Sequence, residues 1–221
     1  MRRILEVIAC SVADAVAAES GGAGRLEVVS RLEVGGLTPG VDLVREILAA
    51  VSIPIRVMVR ENSGYDVASE SEFENLCAAA RAFDQLGIDG LVLGFLRSGH
   101  LDLASTERVL GCAPRLRATF HRAFEALEHP EAAIAALKKS GRFDRILTSG
   151  DSGRLRQYAA QAGPEISIMA GGGMSAELIR NVIETTSVRE FHVGRAARHA
   201  ANINEPVDAS RVRSLATLLS A

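Results

Sequence analysis

The chain alternates short apolar segments with longer segments of helical periodicity, and no other feature restricts its possible folds so strongly. Eight short segments are rich in β-branched residues or leucine and are bounded by Gly, Pro, Ser or Asp, which predicts strands. The predicted strands are Ile4–Ala9, Arg25–Val29, Ile55–Val59, Leu91–Gly94, Arg117–His121, Arg145–Thr148, Ile166–Ala170 and Glu190–Val193.

Between these strands, apolar residues recur every three or four positions, which predicts helices. The predicted helices are Asp14–Glu19, Gly40–Ala50, Ser71–Leu86, Leu103–Leu110, Pro130–Lys139, Ser152–Ala162 and Ala176–Glu184. A repeated strand–helix unit requires a parallel sheet covered by helices. Eight units in 221 residues leave about 27 residues for each, which suits a compact closed barrel. The sequence therefore predicts a (β/α)8 TIM barrel, a single domain over residues 1–221.

Charge and composition argue against several classes of function. The net charge is −2 and there is no run of Lys or Arg, so a nucleic-acid partner is disfavoured. No stretch approaches the roughly 18 apolar residues of a membrane span, and Glu6 interrupts the apolar run after Met1–Arg3, so we expect a cytoplasmic protein. The only lysines, Lys138 and Lys139, lie on a predicted helix, which argues against Schiff-base chemistry at a strand end.

The three cysteines, Cys10, Cys77 and Cys112, are odd in number and have no CxxC spacing. This pattern argues against a disulfide framework and against a zinc site formed by neighbouring residues. We expect them to be small, partly buried apolar side chains, although the fold can still bring them together in space.

Charged side chains occur within or at the ends of several predicted strands, where the active sites of barrels are built. Glu6 and Glu27 stand inside apolar strands, and a buried carboxylate is costly unless it is paired. We therefore expect both to point into the barrel mouth and to meet Arg60 or Arg122. Two interpretations stay open: a structural ion-pair network, or a proton-transfer carboxylate oriented by one arginine while the second binds an anionic substrate.

Two histidines and two hydroxyl residues also occupy the ends of predicted strands. His121 ends the fifth strand, and the neighbouring charge of Arg122 should lower its pKa, so that a neutral imidazole can act as a base or a ligand. His192 lies deeper, in the eighth strand, and Thr148 and Ser149 end the sixth. Each of these side chains can instead be an ordinary satisfied polar group. We assign His121 to catalysis and the other three to substrate binding.

A run of three glycines, Gly171, Gly172 and Gly173, follows the seventh predicted strand and leads into a helix. Backbone N–H groups in such a loop can approach an anion, and the amino terminus of the helix adds partial positive charge. Arg195, after the eighth strand, can close over the anion from the other side. Barrels commonly bind a phosphate at this position, so we predict an anion site here. The alternative is a turn that needs glycine only for its geometry.

Several of these residues lie in motifs that resemble those of the CutC family, which is named for copper homeostasis. The matching motifs are Leu5-Glu6-Val7 with Ser11, Arg25-Leu26-Glu27, Gly35-Gly36-Leu37-Thr38-Pro39, Phe120-His121-Arg122-Ala123-Phe124 and Leu147-Thr148-Ser149-Gly150. The resemblance spans most of the chain. It implies a barrel fold, a cytosolic homo-oligomer (a dimer or tetramer) and a role in binding copper.

The chain departs from the family pattern where copper would be bound. The family often has cysteines after the first two strands, whereas here the corresponding positions hold Ile8, Ala9 and Val29. Cu(I) prefers thiolate and thioether ligands, and Cys10 is the one thiol near these strands. We therefore predict an enzyme that acts on a small anionic or phosphorylated metabolite by acid–base chemistry. The alternative is a copper-binding protein without catalytic turnover.

Overall fold

A closed barrel of eight parallel strands forms the centre of the computed structural model, which describes residues 3–220. The strands are β1 Ile4–Ala9, β2 Arg25–Val28, β3 Ile55–Met58, β4 Gly90–Leu93, β5 Arg117–Phe120, β6 Phe143–Thr148, β7 Ser167–Ala170 and β8 Glu190–Val193. Each strand pairs with its neighbours in sequence, and β1 pairs with β8 to close the barrel. The predicted (β/α)8 barrel is confirmed.

Within residues 3–220, eight helices surround the strands and bury their apolar faces against them. They are α1 Val12–Ser20, α2 Val41–Ala50, α3 Glu70–Leu86, α4 Leu103–Gly111, α5 Pro130–Ser140, α6 Ser152–Ala162, α7 Ala176–Thr185 and α8 Ala209–Ser220. Several begin at a side-chain cap, because a Ser or Asp oxygen accepts an otherwise unpaired N–H of the first turn. Ser69 and Asp151 cap α3 and α6 in this way. Among residues 3–220, no helix has the length and apolar character that crossing a membrane requires.

The structure adds elements that the sequence analysis did not assign. The largest of these added elements is helix α8. Its buried residues Val212, Leu215 and Leu219 follow the spacing of a helix, so the sequence did contain a signal for it. Strand β6 begins at Phe143 rather than Arg145, and its pairing with β5 shifts register between Ala118 and Thr119. A short hairpin, Leu96–Arg97 with His100–Leu101, and four 3-10 turns decorate the connecting loops.

The amino-terminal half of the barrel interior contains a network of buried ion pairs. Arg25 contacts Glu190 at 2.5 Å, and Arg145 reaches the same carboxylate at 2.7 Å. Arg56 binds Asp144 at 2.6 Å and Asp89 at 2.8 Å. The guanidinium of Arg56 fills the space beside Gly90, where a Cβ atom would lie 2.9 Å from its Cζ. Charged groups therefore fill part of the barrel that apolar side chains usually occupy.

An apolar cluster lies nearer the carboxyl ends of the strands. It consists of Ile8, Val29, Met58 and Val92, each at most 9% exposed. Ile8 and Met58 also line the cavity described below. Apolar side chains thus fill part of the space between the ion-pair network and the barrel mouth, while Arg25 connects the network to the mouth through its contact with Glu6.

Replacing Arg56 by methionine should destabilise the fold strongly. The change leaves Asp144 with one cation fewer, and breaking a buried ion pair typically costs about 3–5 kcal/mol. We expect the free energy of unfolding, measured by urea denaturation, to fall by about 3 kcal/mol. Arg45→Met, which breaks an exposed pair with Asp42, is the control and should change it by less than about 1 kcal/mol. Equal effects of the two substitutions would contradict a structural role for the buried network.

Candidate functional site

A cavity of about 580 Å³ opens at the carboxyl ends of the barrel strands. Many of the residues that the sequence analysis selected line this one cavity. They are Glu27, Arg60, His121, Arg122, Gly172, Gly173, His192 and Arg195. Their convergence follows from the closed parallel barrel, which directs the ends of all its strands toward the same face.

Three buried side chains beneath the cavity lie in a row, joined by one hydrogen bond and one longer ion-pair contact, and are here called the Glu6–His192–Glu27 relay. His192 Nδ1 lies 2.8 Å from Glu6 Oε1, and His192 Nε2 lies 3.4 Å from Glu27 Oε2. The contacts arise because β1 pairs with both β2 and β8, so that Glu6 stands level with His192. The imidazole therefore bridges two carboxylates that come from adjacent strands.

The two carboxylates of the relay have opposite electrostatic environments. Burial alone would raise the pKa of Glu6, but the Arg25 guanidinium and His192 hold it below its ordinary value. The cations near Glu27 offset the effect of its burial less completely, and burial raises its pKa to about 7 despite the nearby imidazole. Burial alone would lower the pKa of His192, but Glu27 and Glu6 raise it. Glu6 is therefore ionised, whereas Glu27 can gain or lose a proton near neutral pH.

One oxygen of Glu27 and one nitrogen of His121 are buried without a hydrogen-bond partner in the part of the chain that the structure describes. A buried polar atom without a partner typically costs about 1–3 kcal/mol. Both residues line the cavity. Glu27 Oε1 and His121 Nε2 are therefore positions where a ligand can supply the missing partner.

His121 is held as a neutral imidazole. Its Nδ1 accepts the N–H of Ala123 at 3.2 Å, so the ring proton is on Nε2. Burial, together with the charge of Arg60, lowers its pKa to about 3. The sequence analysis predicted that the pKa of His121 is lowered, and this direction agrees with the structure. The cation that lowers it is Arg60, however, rather than the adjacent Arg122. His121 is consequently a weak base and a hydrogen-bond donor through Nε2.

The predicted pairing of Glu6 and Glu27 with Arg60 or Arg122 is wrong. Arg25, which follows in register on β2, binds Glu6 instead. Arg122 pairs with Glu125 at 2.7 Å. The carboxylates lie deeper in the barrel than either predicted partner, because those arginines sit on the loops that follow β3 and β5.

Arg60 binds the loops around it rather than a carboxylate. Its guanidinium donates to the carbonyl oxygens of Gly35, Gly36, Ser63 and Gly64, which belong to the loops after β2 and β3. Its Cζ also lies 5.0 Å from the centroid of the Tyr65 ring. Carbonyl oxygens satisfy the donors without neutralising the charge. Arg60 therefore brings positive charge to the cavity wall.

The glycine loop after β7 has the backbone geometry that its sequence suggested. Gly172 and Gly173 have φ values of 74° and 86°, a region that other residues rarely adopt. Their N–H groups, with that of Met174, make no hydrogen bond within residues 3–220. Arg195 is exposed, lines the cavity, and its side chain makes no hydrogen bond or ion pair with the described residues. Backbone donors and one cation are thus free to bind a ligand.

Three predicted substrate-binding residues lie beside the cavity rather than on its wall. The Thr148 hydroxyl donates to the carbonyl of Ser149 at 3.1 Å, and the Ser149 N–H donates to Glu125 at 2.9 Å. Ser149 and Gly171 line a neighbouring depression near the start of α6. Their observed contacts support the loops that carry Arg122 and the glycine run.

Sequence reasoning missed two residues that shape the site. The sequence analysis noted Arg25 only as the first residue of a strand and as part of a family motif, yet it fixes the charge of Glu6. Tyr65 lies between two site residues, with its ring centroid 5.4 Å from that of His121 and its face toward Arg60. The signal for Arg25 was a cation within an apolar strand, the same signal that identified Glu6 and Glu27.

The relay is also the one group of His, Cys, Asp and Glu side chains among residues 3–220 whose ligand atoms, within 4.8 Å of one another, suit a metal ion. Arg25 and His192 already occupy both oxygens of Glu6. This leaves His192 Nε2 and Glu27 as donors, with Glu6 as the carboxylate that orients the imidazole. The ligands are imidazole nitrogen and carboxylate oxygen, which do not suit Cu(I).

Cys10 lies outside this group. Its thiol is half-buried against the apolar cluster that contains Met58, and Arg198 Nη2 lies 3.6 Å from its sulfur. Burial raises the pKa of the thiol to about 11. A metal bound here would therefore have to displace a firmly held proton.

Replacing Glu27 by glutamine should change the dependence of stability on pH. A glutamate of ordinary pKa 4.5 ionises in the unfolded chain, whereas Glu27 keeps its proton to about pH 7 in the folded protein. The unfolded state thus binds fewer protons over this range, and the wild type loses stability as pH rises. Glu27→Gln removes this titration, so its free energy of unfolding relative to the wild type should increase by about 2–3 kcal/mol from about pH 5 to pH 8.

Urea denaturation at several pH values measures this difference. Glu74→Gln, an exposed substitution on α3, is the control and should follow the wild-type profile. Parallel profiles for Glu27→Gln and the wild type would contradict the raised pKa.

Comparison with known proteins places the chain in a family. The model of the CutC family matches residues 3–197. The mouse copper homeostasis protein cutC homolog is 38% identical over 197 residues, which cover 86% of this chain and 72% of the relative. A family protein CutC from Xylella fastidiosa (strain Temecula1) is 34% identical and covers 98% of this chain and 88% of its own.

A comparison with solved structures supports the same family assignment. The putative copper homeostasis protein CutC from Streptococcus agalactiae superposes with a TM-score of 0.80, at 28% identity, over 86% of this chain and 97% of that one. Phosphoribosylanthranilate isomerase from Thermotoga maritima, with a TM-score of 0.69 and 13% identity over the whole of both chains, shares the barrel fold alone. The chain belongs to the CutC family.

Proposed function

We propose that this chain is an enzyme that binds a small anionic, phosphorylated metabolite in the cavity and transfers a proton through Glu27. The observation that carries this proposal is the state of Glu27 itself. Its Oε1 is buried without a partner at the cavity, and its pKa is raised to about 7. A carboxylate with these properties is suited to general acid–base catalysis near neutral pH.

The relay supports a specific division of roles. Glu27 accepts a proton from a substrate carbon next to a carbonyl group, and the electron pair moves onto the carbonyl oxygen. His121 donates a hydrogen bond from Nε2 to that oxygen, since a neutral imidazole can stabilise the developing charge without losing its own proton. His192, oriented by Glu6, stabilises the ionised form of Glu27 before it accepts the proton and after it returns it to the substrate. With a pKa of about 3, His121 is too weak a base for the role of Glu27.

Cationic and backbone N–H groups around the cavity support an anionic group on the substrate. Arg195 makes no ion pair with the described residues, and Arg60 has only carbonyl and aromatic partners among them. The unpaired N–H groups of Gly172, Gly173 and Met174 favour a phosphate as the ligand rather than a metal cation, because backbone donors in a left-handed turn suit an anion. A phosphate held there leaves the rest of the metabolite within the cavity beside the relay.

Phosphorylated sugars should stabilise the protein against heat, because they bind the folded state only. We expect members of a panel of small sugar phosphates and carboxylates to raise Tm, and Arg195→Met to abolish the increase. Arg156→Met, an exposed substitution on α6, is the matched control and should leave the increase unchanged. Absence of stabilisation by every anion in the panel would overturn the binding half of the proposal.

Proton transfer can be detected without knowledge of the overall reaction. Compounds that stabilise the protein are incubated with it in heavy water, and NMR follows exchange of their carbon-bound hydrogens. Glu27→Gln should slow this exchange by at least about 100-fold while preserving the thermal stabilisation. Exchange that is undiminished in the variant would show that Glu27 is not the base.

Copper binding at Cys10 is the alternative function, favoured by the copper homeostasis names of the relatives. It predicts that Cys10→Ser lowers the affinity for Cu(I) measured against a competing chelator. We expect no loss, because Arg198 and the carboxylate of Asp14 flank this half-buried thiol, and neither suits Cu(I) as a ligand. A clear loss of affinity would favour the alternative. A cytoplasmic location and a homo-oligomer stay predictions of the family resemblance.

A further inference from the structure

Part of the lining of the barrel cavity is apolar. It consists of five side chains, here called the apolar wall: Ile8, Leu32, Val34, Met58 and Ile203. None of these side chains has a hydrogen-bond donor, and the thioether of Met58 is only a weak acceptor. They contribute neither to the proton transfer nor to the phosphate site proposed above. The apolar wall is therefore left to contact another part of the substrate.

Four members of the apolar wall lie together beside Glu27. Ile8 and Met58 belong to the apolar cluster described above, and Leu32 packs against that cluster. Val34 lies in the same 3-10 turn as Leu32, in the loop after β2. Ile8 on β1 pairs in register with Glu27 on β2. The apolar wall thus begins next to the carboxyl group that the proposed function uses as the base.

The loop after β8 adds the fifth member, Ile203. If Gly194 carried a Cβ atom, this atom would lie 2.9 Å from Ile8 Cδ1 and 3.9 Å from Ile203 Cδ1. The two isoleucines therefore approach the same point at the end of β8. The loop is held at its base by Arg198, a buried side chain that binds Asp14 of α1 at 3.1 Å. Contacts outside the cavity thus hold Ile203 in the cavity wall.

The apolar wall and the glycine loop lie on opposite sides of the barrel mouth. Met58 ends β3, whereas Gly172 and Gly173 follow β7. These two strands are four positions apart in either direction around the closed barrel of eight. A molecule whose phosphate is bound by the glycine loop can therefore reach across the cavity to the apolar wall.

The apolar wall suits a hydrocarbon group better than the hydroxyl groups of a sugar. A hydroxyl that faces these side chains loses its hydrogen bonds to water without gaining new ones. Leu32, Val34 and Ile203 are only half-buried, so an apolar group that covers them removes their remaining surface from water. The cavity volume of about 580 Å³ also lies within the range of about 300–1,000 Å³ that is typical of pockets for drug-sized ligands. A sugar phosphate would use the phosphate site alone.

We propose that the substrate is a phosphate monoester whose other end is an aromatic ring, and that this ring packs against the apolar wall. The inference rests on the proposed function, since it requires the phosphate to occupy the glycine loop. An aromatic ring suits this surface because the thioether of Met58 makes favourable contacts with such rings. Ile203 is a specificity-determining residue, because it extends the apolar wall from the loop after β8.

Isothermal titration calorimetry of the full chain with 2-phenylethyl phosphate and with glycerol 3-phosphate tests this inference. The two compounds share the phosphate monoester and differ in the group that reaches the apolar wall. We expect the Kd of 2-phenylethyl phosphate to be at least about tenfold lower, because its ring is removed from water. Ile203→Asn should reduce this ratio to about threefold or less. Val16→Asn, which changes an exposed apolar residue on α1, is the control and should keep the ratio.

A second measurement uses the wild type and does not depend on how a variant folds. The ring current of bound 2-phenylethyl phosphate should shift the δ1-methyl NMR signals of Ile8 and Ile203. Glycerol 3-phosphate, which has no ring, should leave both signals nearly unchanged.

Equal affinities of the wild type for the two phosphates would overturn the inference. A ratio that Ile203→Asn leaves unchanged, together with unshifted isoleucine signals, would overturn it as well. If both phosphates bind equally and Arg195→Met abolishes the binding of both, the proposed phosphate site stands without an aromatic end. If neither phosphate binds, the binding half of the proposed function fails, and the inference fails with it.

Discussion

The buried contact between Arg25 and Glu6 determines the chemistry of the barrel mouth. Without a cation, a carboxylate on β1 that is 1% exposed would take up a proton. Arg25 keeps Glu6 ionised, and the ionised oxygen in turn fixes the proton of His192 on Nδ1. The opposite nitrogen of His192 is thereby directed at Glu27. A single arginine below the cavity thus orients every member of the relay.

The same contact explains why two glutamates on adjacent strands behave differently. The guanidinium of Arg25 also binds Glu190, so its donors are used on the side away from Glu27. Glu27 is left with one imidazole 3.4 Å away and one oxygen without a partner. Neighbouring carboxylates whose pKa values are pushed apart in this way are a common basis for acid–base roles. The difference in pKa between Glu6 and Glu27 thus follows from the register in which the strands pair.

Much of the site could be predicted because polar residues inside apolar strands are unusual. Glu6, Glu27 and His192 were identified by this feature, and the closed barrel brought them together. Their partners could not be predicted, since these depend on which strands become neighbours and in which register. Arg60 lies near Glu27 in the predicted strand order, yet its guanidinium turns to carbonyl oxygens at the rim.

Hard and soft donors are segregated in this molecule. The barrel mouth offers carboxylates, an imidazole and anion-binding groups, which suit proton transfer and a phosphate better than Cu(I). Of the thiols, Cys77 on α3 and Cys112 after α4 belong to the helical layer, whereas Cys10 follows β1 and packs against the apolar cluster. A connection with copper therefore does not require copper in the barrel mouth. The proton transfer that we propose for the barrel mouth therefore depends on oxygen and nitrogen atoms and does not involve the thiols of the helical layer.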